Sequence, residues 1–422
     1  MSKLPQQKTR WQKIRKLFND IHLWLGLSSG LIVIAICFSG TIYVFNTELT
    51  ERAAPHLYKV KPVAGKERIP VDSLMPKVKN ASGGIITSIA IPAEAERTYQ
   101  FTAKKKGEEG RGTTYMVNPY TGDIVGNSKE KNGTKEFMGT MFSLHRWLLL
   151  DKVETPIIKG LPNKELGSMI TGWATIIFTL GCITGLIIWF PQKVRNWKQG
   201  LSVKWGAGWK RINHDLHNSL AFYALFFLLL MGLTGPQWSF EWYRTGLQKT
   251  LGTYKPKEVP GKEKKPKSIL PENKETLAAL SITDCIKEAD KVLSYNGNYT
   301  VTLPVDSTAP TAISKTKLGF FAPAAGDKLT VNQYNGKIIK TEIFKDKPFN
   351  ERVAGSIKAI HVGNVYGTFT KIIYFIACLI ATSLPVTGTM IWLNKLKKKR
   401  RRKNIAGVKV KIPDTITEQV AY

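Results

Sequence analysis

Asp20-Ile-His22-Leu-Trp24-Leu-Gly26-Leu-Ser-Ser29-Gly30 opens a long apolar stretch, and Asp215-Leu-His217 opens another further along the chain. Each histidine is followed, at the same spacing of eighteen residues, by the second member of a small-residue pair, Ser39-Gly40 and Thr234-Gly235. The chain holds only six histidines in 422 residues. Two of them at matching points of repeated apolar segments point to a role that packing does not require. An imidazole inside a membrane most often binds something, and a metal is its commonest partner.

Working outward from these segments, four stretches are long and apolar enough for the roughly 20 helical residues that cross a bilayer. They run from about Ile21 to Phe45, Met169 to Phe190, Leu216 to Trp238 and Ile372 to Leu393. Trp24, Trp189, Trp238 and Trp392 mark their ends, as expected of side chains that settle at headgroup level. The first stretch is too long for a signal-peptide core and lacks a small-residue cleavage site after it, so it is expected to stay as a helix. Lys3, Lys8, Arg10, Lys13, Arg15 and Lys16 precede it. A second basic group, from Lys193 to Arg211, separates spans two and three, and a third, from Lys395 to Lys403, follows span four. Basic residues near span ends stay cytoplasmic, which places both termini inside a bacterial inner membrane. The formal charge of +31 is concentrated at these ends, where topology and anionic lipid account for it, so nucleic acid is not an expected partner.

The two remaining connections, about Asn46 to Asn163 and Glu241 to Gly355, are external and share a signature. Val117-Asn-Pro-Tyr-Thr-Gly-Asp-Ile-Val125 and Val331-Asn-Gln-Tyr-Asn-Gly-Lys-Ile-Ile339 both read as strand, turn, strand. Alternation over Ile86–Ile91 and Thr98–Thr102 suits half-buried strands. Helical patterns near Val71–Val78 and Ile282–Leu293 precede each set, giving a small α+β unit twice. The Pro- and Lys-rich run from Tyr254 to Pro271 reads as a linker.

Spans two and four also correspond. Thr184-Gly-Leu-Ile-Ile-Trp189 matches Thr387-Gly-Thr-Met-Ile-Trp392, and a histidine lies upstream of each, in Ser143-Leu-His145-Arg146-Trp and Ala359-Ile-His361-Val-Gly. The expected architecture is therefore an α-helical membrane protein whose four transmembrane helices form a tandem duplication with two external α+β modules. Its parts are a basic cytoplasmic N-terminus (1–20), span one (21–45), external module one (46–140), a histidine segment with span two (141–190), a cytoplasmic loop (191–213), span three (214–238), external module two (239–355), a histidine segment with span four (356–393) and a basic cytoplasmic tail (394–422). His22 and His217 then fall in the inner leaflet and His145 and His361 in the outer one. Eighteen helical residues cover about 27 Å, close to the apolar thickness of a bilayer.

One histidine pair per leaflet is what two stacked haems require, and a haem held on both faces suits electron transfer. Gly26, Ser29 and Gly30 would let a flat macrocycle approach the backbone, though they equally suit helix packing. Arg146 and Arg211 could meet propionates. The competing reading makes all four histidines hydrogen-bonded packing residues. His214, three residues before His217, is either an alternative ligand or an interfacial side chain, and His56 is expected on the external surface.

These motifs, in this order, resemble the PepSY-associated transmembrane helix family, whose iron-regulated members include ferric-siderophore reductases of bacterial inner membranes. The resemblance covers all but the basic tails. It implies two external PepSY-like modules and two haem b groups whose iron is ligated by His22, His145, His217 and His361. The runs Asn218-Ser-Leu-Ala-Phe and His361-Val-Gly-Asn-Val-Tyr-Gly depart from the usual pattern.

Absences narrow the mechanism. There is no Gly-x-Gly-x-x-Gly, phosphate loop or His-Glu-x-x-His, so electrons must come from a separate donor, a cytoplasmic reductase or membrane quinol. Cys37, Cys182, Cys285 and Cys378 lie singly, without the spacing of an iron–sulfur site or an evident disulfide. The expected function is an oxidoreductase that reduces ferric siderophore outside the membrane for iron release, with membrane lipid as its other partner. A permease component without redox chemistry and a peptide-binding regulatory protein are the alternatives.

Overall fold

The computed structural model describes residues 9–191, 194–256, 267–269 and 279–408, without the side chains of 194, 196 and 402–408. Lys3, Lys8, Lys193, the side chains of Arg402 and Lys403, most of the Tyr254–Pro271 linker and the tail beyond Val408 lie outside the described residues. The helices in chain order are α1 (Arg10–Tyr43), α2 (Asn46–Ala53), α3 (Pro55–Tyr58), α4 (Val71–Ser82), α5 (Gly133–Trp147), α6 (Asn163–Trp189), α7 (Trp209–Thr234), α8 (Glu241–Thr250), α9 (Ile282–Val292), α10 (Phe349–Val362) and α11 (Gly367–Val408). The strands are β1 (Ile85–Ile91), β2 (Tyr99–Lys104), β3 (Thr113–Val117), β4 (Ile124–Asn127), β5 (Gly297–Thr302), β6 (Thr311–Lys317), β7 (Asp327–Val331) and β8 (Ile338–Glu342). The chain divides into two compact units, one of Met1–Thr41, Leu144–Ser239 and Ile376–Tyr422, the other of Ile42–Ser143 and Phe240–Phe375.

The first unit is built from the four helices long and apolar enough to cross a membrane, Arg10–Tyr43, Asn163–Trp189, Trp209–Trp238 and Gly367–Arg401. The chain is thus a multi-pass membrane protein. These helices outrun the apolar stretches that reveal them in the sequence: α1 starts well before Ile21, and α11 continues far past Leu393. Lys and Arg are good helix formers, so the backbone continues where only the hydropathy changes. Because α7 begins at Trp209, His214 and His217 both sit inside it. Hydroxyls along the spans are satisfied within their own helices, as in Ser39 to Ala35 O (2.6 Å), Thr175 to Thr171 O (2.7 Å) and Thr234 to Leu230 O (2.6 Å). Small residues permit close approach. A Cβ on Gly232 would stand 2.4 Å from the Thr179 hydroxyl, which fixes the α6–α7 contact.

In the second unit the two expected α+β modules are joined. All eight strands form one antiparallel sheet in the order β4-β3-β2-β1-β5-β6-β7-β8. The join is the β1–β5 pair, from Ser88↔Thr302 to Ile91↔Tyr299. Two free-standing four-strand meanders would each expose an edge of unpaired N–H and C=O groups at β1 or β5, and pairing them removes both edges. Helices α4 and α9 share one core with the sheet, in which Val78, Ile89, Phe101, Cys285, Ala289, Val301 and Val331 are fully or almost fully buried. The two predicted hairpins close alike. Asn118 Oδ1 accepts from Tyr120 N and Asn332 Oδ1 from Tyr334 N, both at 2.9 Å, and Gly122 and Gly336 supply φ of +73° and +70°.

Asp72, in the first turn of α4, caps the N-terminus of α9. Its carboxylate accepts from Ile282 N (2.6 Å), Thr283 N (2.9 Å) and the Thr283 hydroxyl (2.5 Å). Asp72→Ala should therefore destabilise the sheet unit by about 1–2 kcal/mol, seen as a lower thermal midpoint. An unchanged midpoint would show that this cap carries no stability.

Candidate functional site

His22 on α1 and His217 on α7 face a common cavity of about 330 Å³, lined also by Gly26, Gly30, His214 and Lys395. Their ring centroids lie 6.5 Å apart with the planes at 77°. This is too far for the rings to touch. Two imidazoles that ligate one metal from opposite sides, with bonds of roughly 2.0 Å, put their centroids about 6.3 Å apart.

The hydrogen bonds of each ring fix its tautomer. His22 Nδ1 lies 3.0 Å from the Gly181 carbonyl, which can only accept, so Nδ1 carries the proton. The Thr184 hydroxyl, 3.1 Å away, donates to Leu180 O or Gly181 O and so also accepts from Nδ1. His217 Nδ1 donates to the Thr387 hydroxyl at 2.9 Å, and that hydroxyl donates onward to Ser383 O or Leu384 O. With Nδ1 protonated, the lone pair of each ring resides on Nε2, the state a metal ligand needs.

The glycines of the Thr-Gly pairs make room for the rings. A Cβ on Gly185 would stand 3.1 Å from His22 Cε1, and one on Gly388 would stand 3.2 Å from His217 Cε1. Thr184-Gly185 on α6 therefore seats the histidine of α1, and Thr387-Gly388 on α11 seats that of α7. The same arrangement holds His145, near the end of α5: its Nδ1 donates to Ile36 O at 2.9 Å, and a Cβ on Gly40 would stand 3.2 Å from its Cε1. Ile36 and Gly40 lie 14 and 18 residues beyond His22 on one continuous helix, about 21–27 Å along its axis.

The sequence match is decisive at this point: the PepSY-associated TM region matches residues 20–395. The chain belongs to that family. No curated protein sequence matches it.

Within this PepSY-associated TM protein, the other expected site residues fall as follows. His361 lies on α10, in the second unit, whereas His145 belongs to the first. The Arg146 guanidinium donates to Trp238 O at 3.1 Å. Arg211 donates from Nε to both carboxylate oxygens of Asp215, at 2.7 and 2.9 Å. His214 also lines the cavity and is bonded to the Asn218 amide at 3.1 Å. His56 is an exposed residue 3.4 Å from Glu130. Gly26 faces open space, whereas Gly30 packs against Pro385. The cysteines are all free. Those of the spans are less isolated than their spacing indicates, since Cys37, Cys182 and Met231 pack on one cluster and Cys378 Sγ lies 3.5 Å from Met231 Sδ.

Among the described residues no group of three or more His, Cys, Asp or Glu is arranged around a metal. His22 and His217 are therefore a pair of Nε2 bases facing one cavity, without a third protein side chain of this kind grouped with them among the described residues. The cross-helix seating missed by sequence reading had a visible signal, the recurrence of Thr-Gly itself. Thr387→Val should leave the His217 N–H without its acceptor, at a cost of about 1–3 kcal/mol, and lower the thermal midpoint in detergent. Thr387→Ser should retain most of the stability. Equal midpoints for the valine and serine variants would contradict the assigned bond.

Proposed function

We propose that this membrane protein is a di-haem b reductase of the bacterial inner membrane that delivers electrons to ferric siderophore on the periplasmic side. The observation that carries the proposal is the 6.5 Å separation of His22 and His217, each with Nδ1 donating and Nε2 left as a base. In this reading His22 and His217 hold the inner haem, and His145 and His361 hold the outer one. A haem so held would supply one-electron transfer. The chain's own contribution is to fix the rings of His22, His217 and His145. Thr184, Thr387 and the carbonyls of Gly181 and Ile36 orient them, while the glycines opposite keep backbone and ring in contact. The apolar spans exclude water, which sets the dielectric around the centre.

The basic residues at the span ends support a topology with both termini in the cytoplasm, in which a separate cytoplasmic reductase or membrane quinol supplies electrons from the chain's inner side. Reduction of ferric to ferrous iron weakens a chelate built from hard oxygen donors and releases the metal. Lys104, Lys105, Lys106 and Arg111 border the loop between β2 and β3, where they would attract an anionic chelate.

The test is the reduced-minus-oxidised spectrum of purified protein and four variants. His22→Ala and His217→Ala should remove the same b-type component, and His145→Ala and His361→Ala the other. Pre-reduced protein should be re-oxidised by ferric siderophores in the presence of a ferrous trap. A colourless wild-type preparation, or four variants that keep both haems, would overturn the haem assignment. Haem without re-oxidation would overturn only the substrate.

A further inference from the structure

The loop between β6 and β7 runs Leu318-Gly-Phe-Phe-Ala-Pro-Ala-Ala-Gly326, with no charged residue between Lys317 and Asp327. Its place in the first half of the sheet is taken by Lys105-Lys-Gly-Glu-Glu-Gly-Arg-Gly112, where five of eight residues are charged. Sheet pairing makes these the loops that link the second and third strands of each meander.

The apolar loop is folded against the start of α11. Phe369 N donates to Phe320 O at 3.3 Å and Ala324 N to Val365 O at 3.0 Å. A Cβ on Gly367, where φ is +55°, would stand 2.8 Å from Phe320 O, so the close approach depends on that glycine. The contact assembles four rings. Phe321 stacks on Tyr366 at 5.0 Å and 8° and meets Phe369 at 5.1 Å, and Phe320 meets Phe369 at 6.3 Å. A cluster of this size would ordinarily be buried. Instead Phe320, Phe321, Tyr366 and Phe369 are 59, 57, 45 and 40% exposed.

We propose that this loop is a lipid-binding anchor, in which Phe320 and Phe321 insert at the headgroup and upper acyl level of the leaflet that α11 enters. The span runs Gly367–Arg401, so Phe369 is in its first turn and Tyr366 directly precedes it. The patch is therefore continuous, along one helix, with a surface that lipid must already cover. Lys371, one turn further in, turns its ammonium onto Glu48 at 2.7 Å, which neutralises the charge at the depth where the rings sit. Aromatic rings are the side chains that favour this level. The inference rests on the membrane spans and not on haem.

Phe321→Cys, carrying a nitroxide label in full-length protein reconstituted in phosphatidylcholine/phosphatidylglycerol vesicles, tests the anchor. Val305→Cys, at an 88% exposed site of the same unit, is the aqueous control. Cys285 is fully buried but Cys37, Cys182 and Cys378 in the spans are only partly so, and wild-type protein, which holds all four, serves as the labelling blank. The label at Phe321 should collide with oxygen several-fold more, relative to a water-soluble nickel chelate, than the label at Val305. Phe320→Cys provides the same reading if the first variant fails to fold. Nickel accessibility equal to the control would overturn the proposal, because the loop would then be in water. Protection from both reagents would also overturn it, because protein would then cover the rings.

Discussion

An imidazole in an apolar medium must place its N–H on an acceptor, and water is not there to provide one. In the membrane unit the acceptor comes from a neighbouring helix each time: Gly181 O and Thr184 for His22, Thr387 for His217, Ile36 O for His145. That bond does several things at once. It ties pairs of spans together, it selects the Nδ1-protonated tautomer, and it leaves Nε2 as the only basic atom of the ring. The glycine beside each acceptor follows from the same constraint, since a side chain there would push the ring off its partner. Stability and ligand chemistry therefore depend on the same few atoms.

The sheet unit obeys a parallel rule about unsatisfied backbone. Eight strands share one core because the central edges of two four-strand meanders satisfy each other. Asp72 reinforces the union by capping a helix from the opposite half of the sheet. The outcome is a large continuous β surface bordered by two loops of opposite character, one charged and one aromatic.

Much of this was legible in the sequence. The four spans were visible because a run of apolar residues has few other uses, and the paired hairpins because Asn and Gly have specific turn chemistry at those positions. The matched spacing of His22 and His217 marked them as partners. The features that stayed hidden are tertiary. Hydropathy gave no sign that α1 starts at Arg10 or that α11 runs to Val408, because charged residues extend a helix as well as apolar ones. The joining of β1 to β5 depends on two strands more than 200 residues apart, and no local pattern encodes it. The Thr-Gly pairs were noted as span-end signatures, but their service to a histidine on another helix appears only once the helices are packed. Arg211 shows the converse case. Its position near His217 allows a propionate contact, while its i,i+4 relation to Asp215 adds an ion pair that the motif reading did not use.

The central proposal is that His22 and His217 hold one haem, and an experimental structure of protein purified from haem-replete membranes tests it most directly. The account predicts a haem in the cavity lined by His22 and His217, held through Nε2 of both, with both Nδ1 bonds retained. A cavity filled by lipid or side chains, with either Nε2 hydrogen-bonded to protein in place of iron, would contradict it.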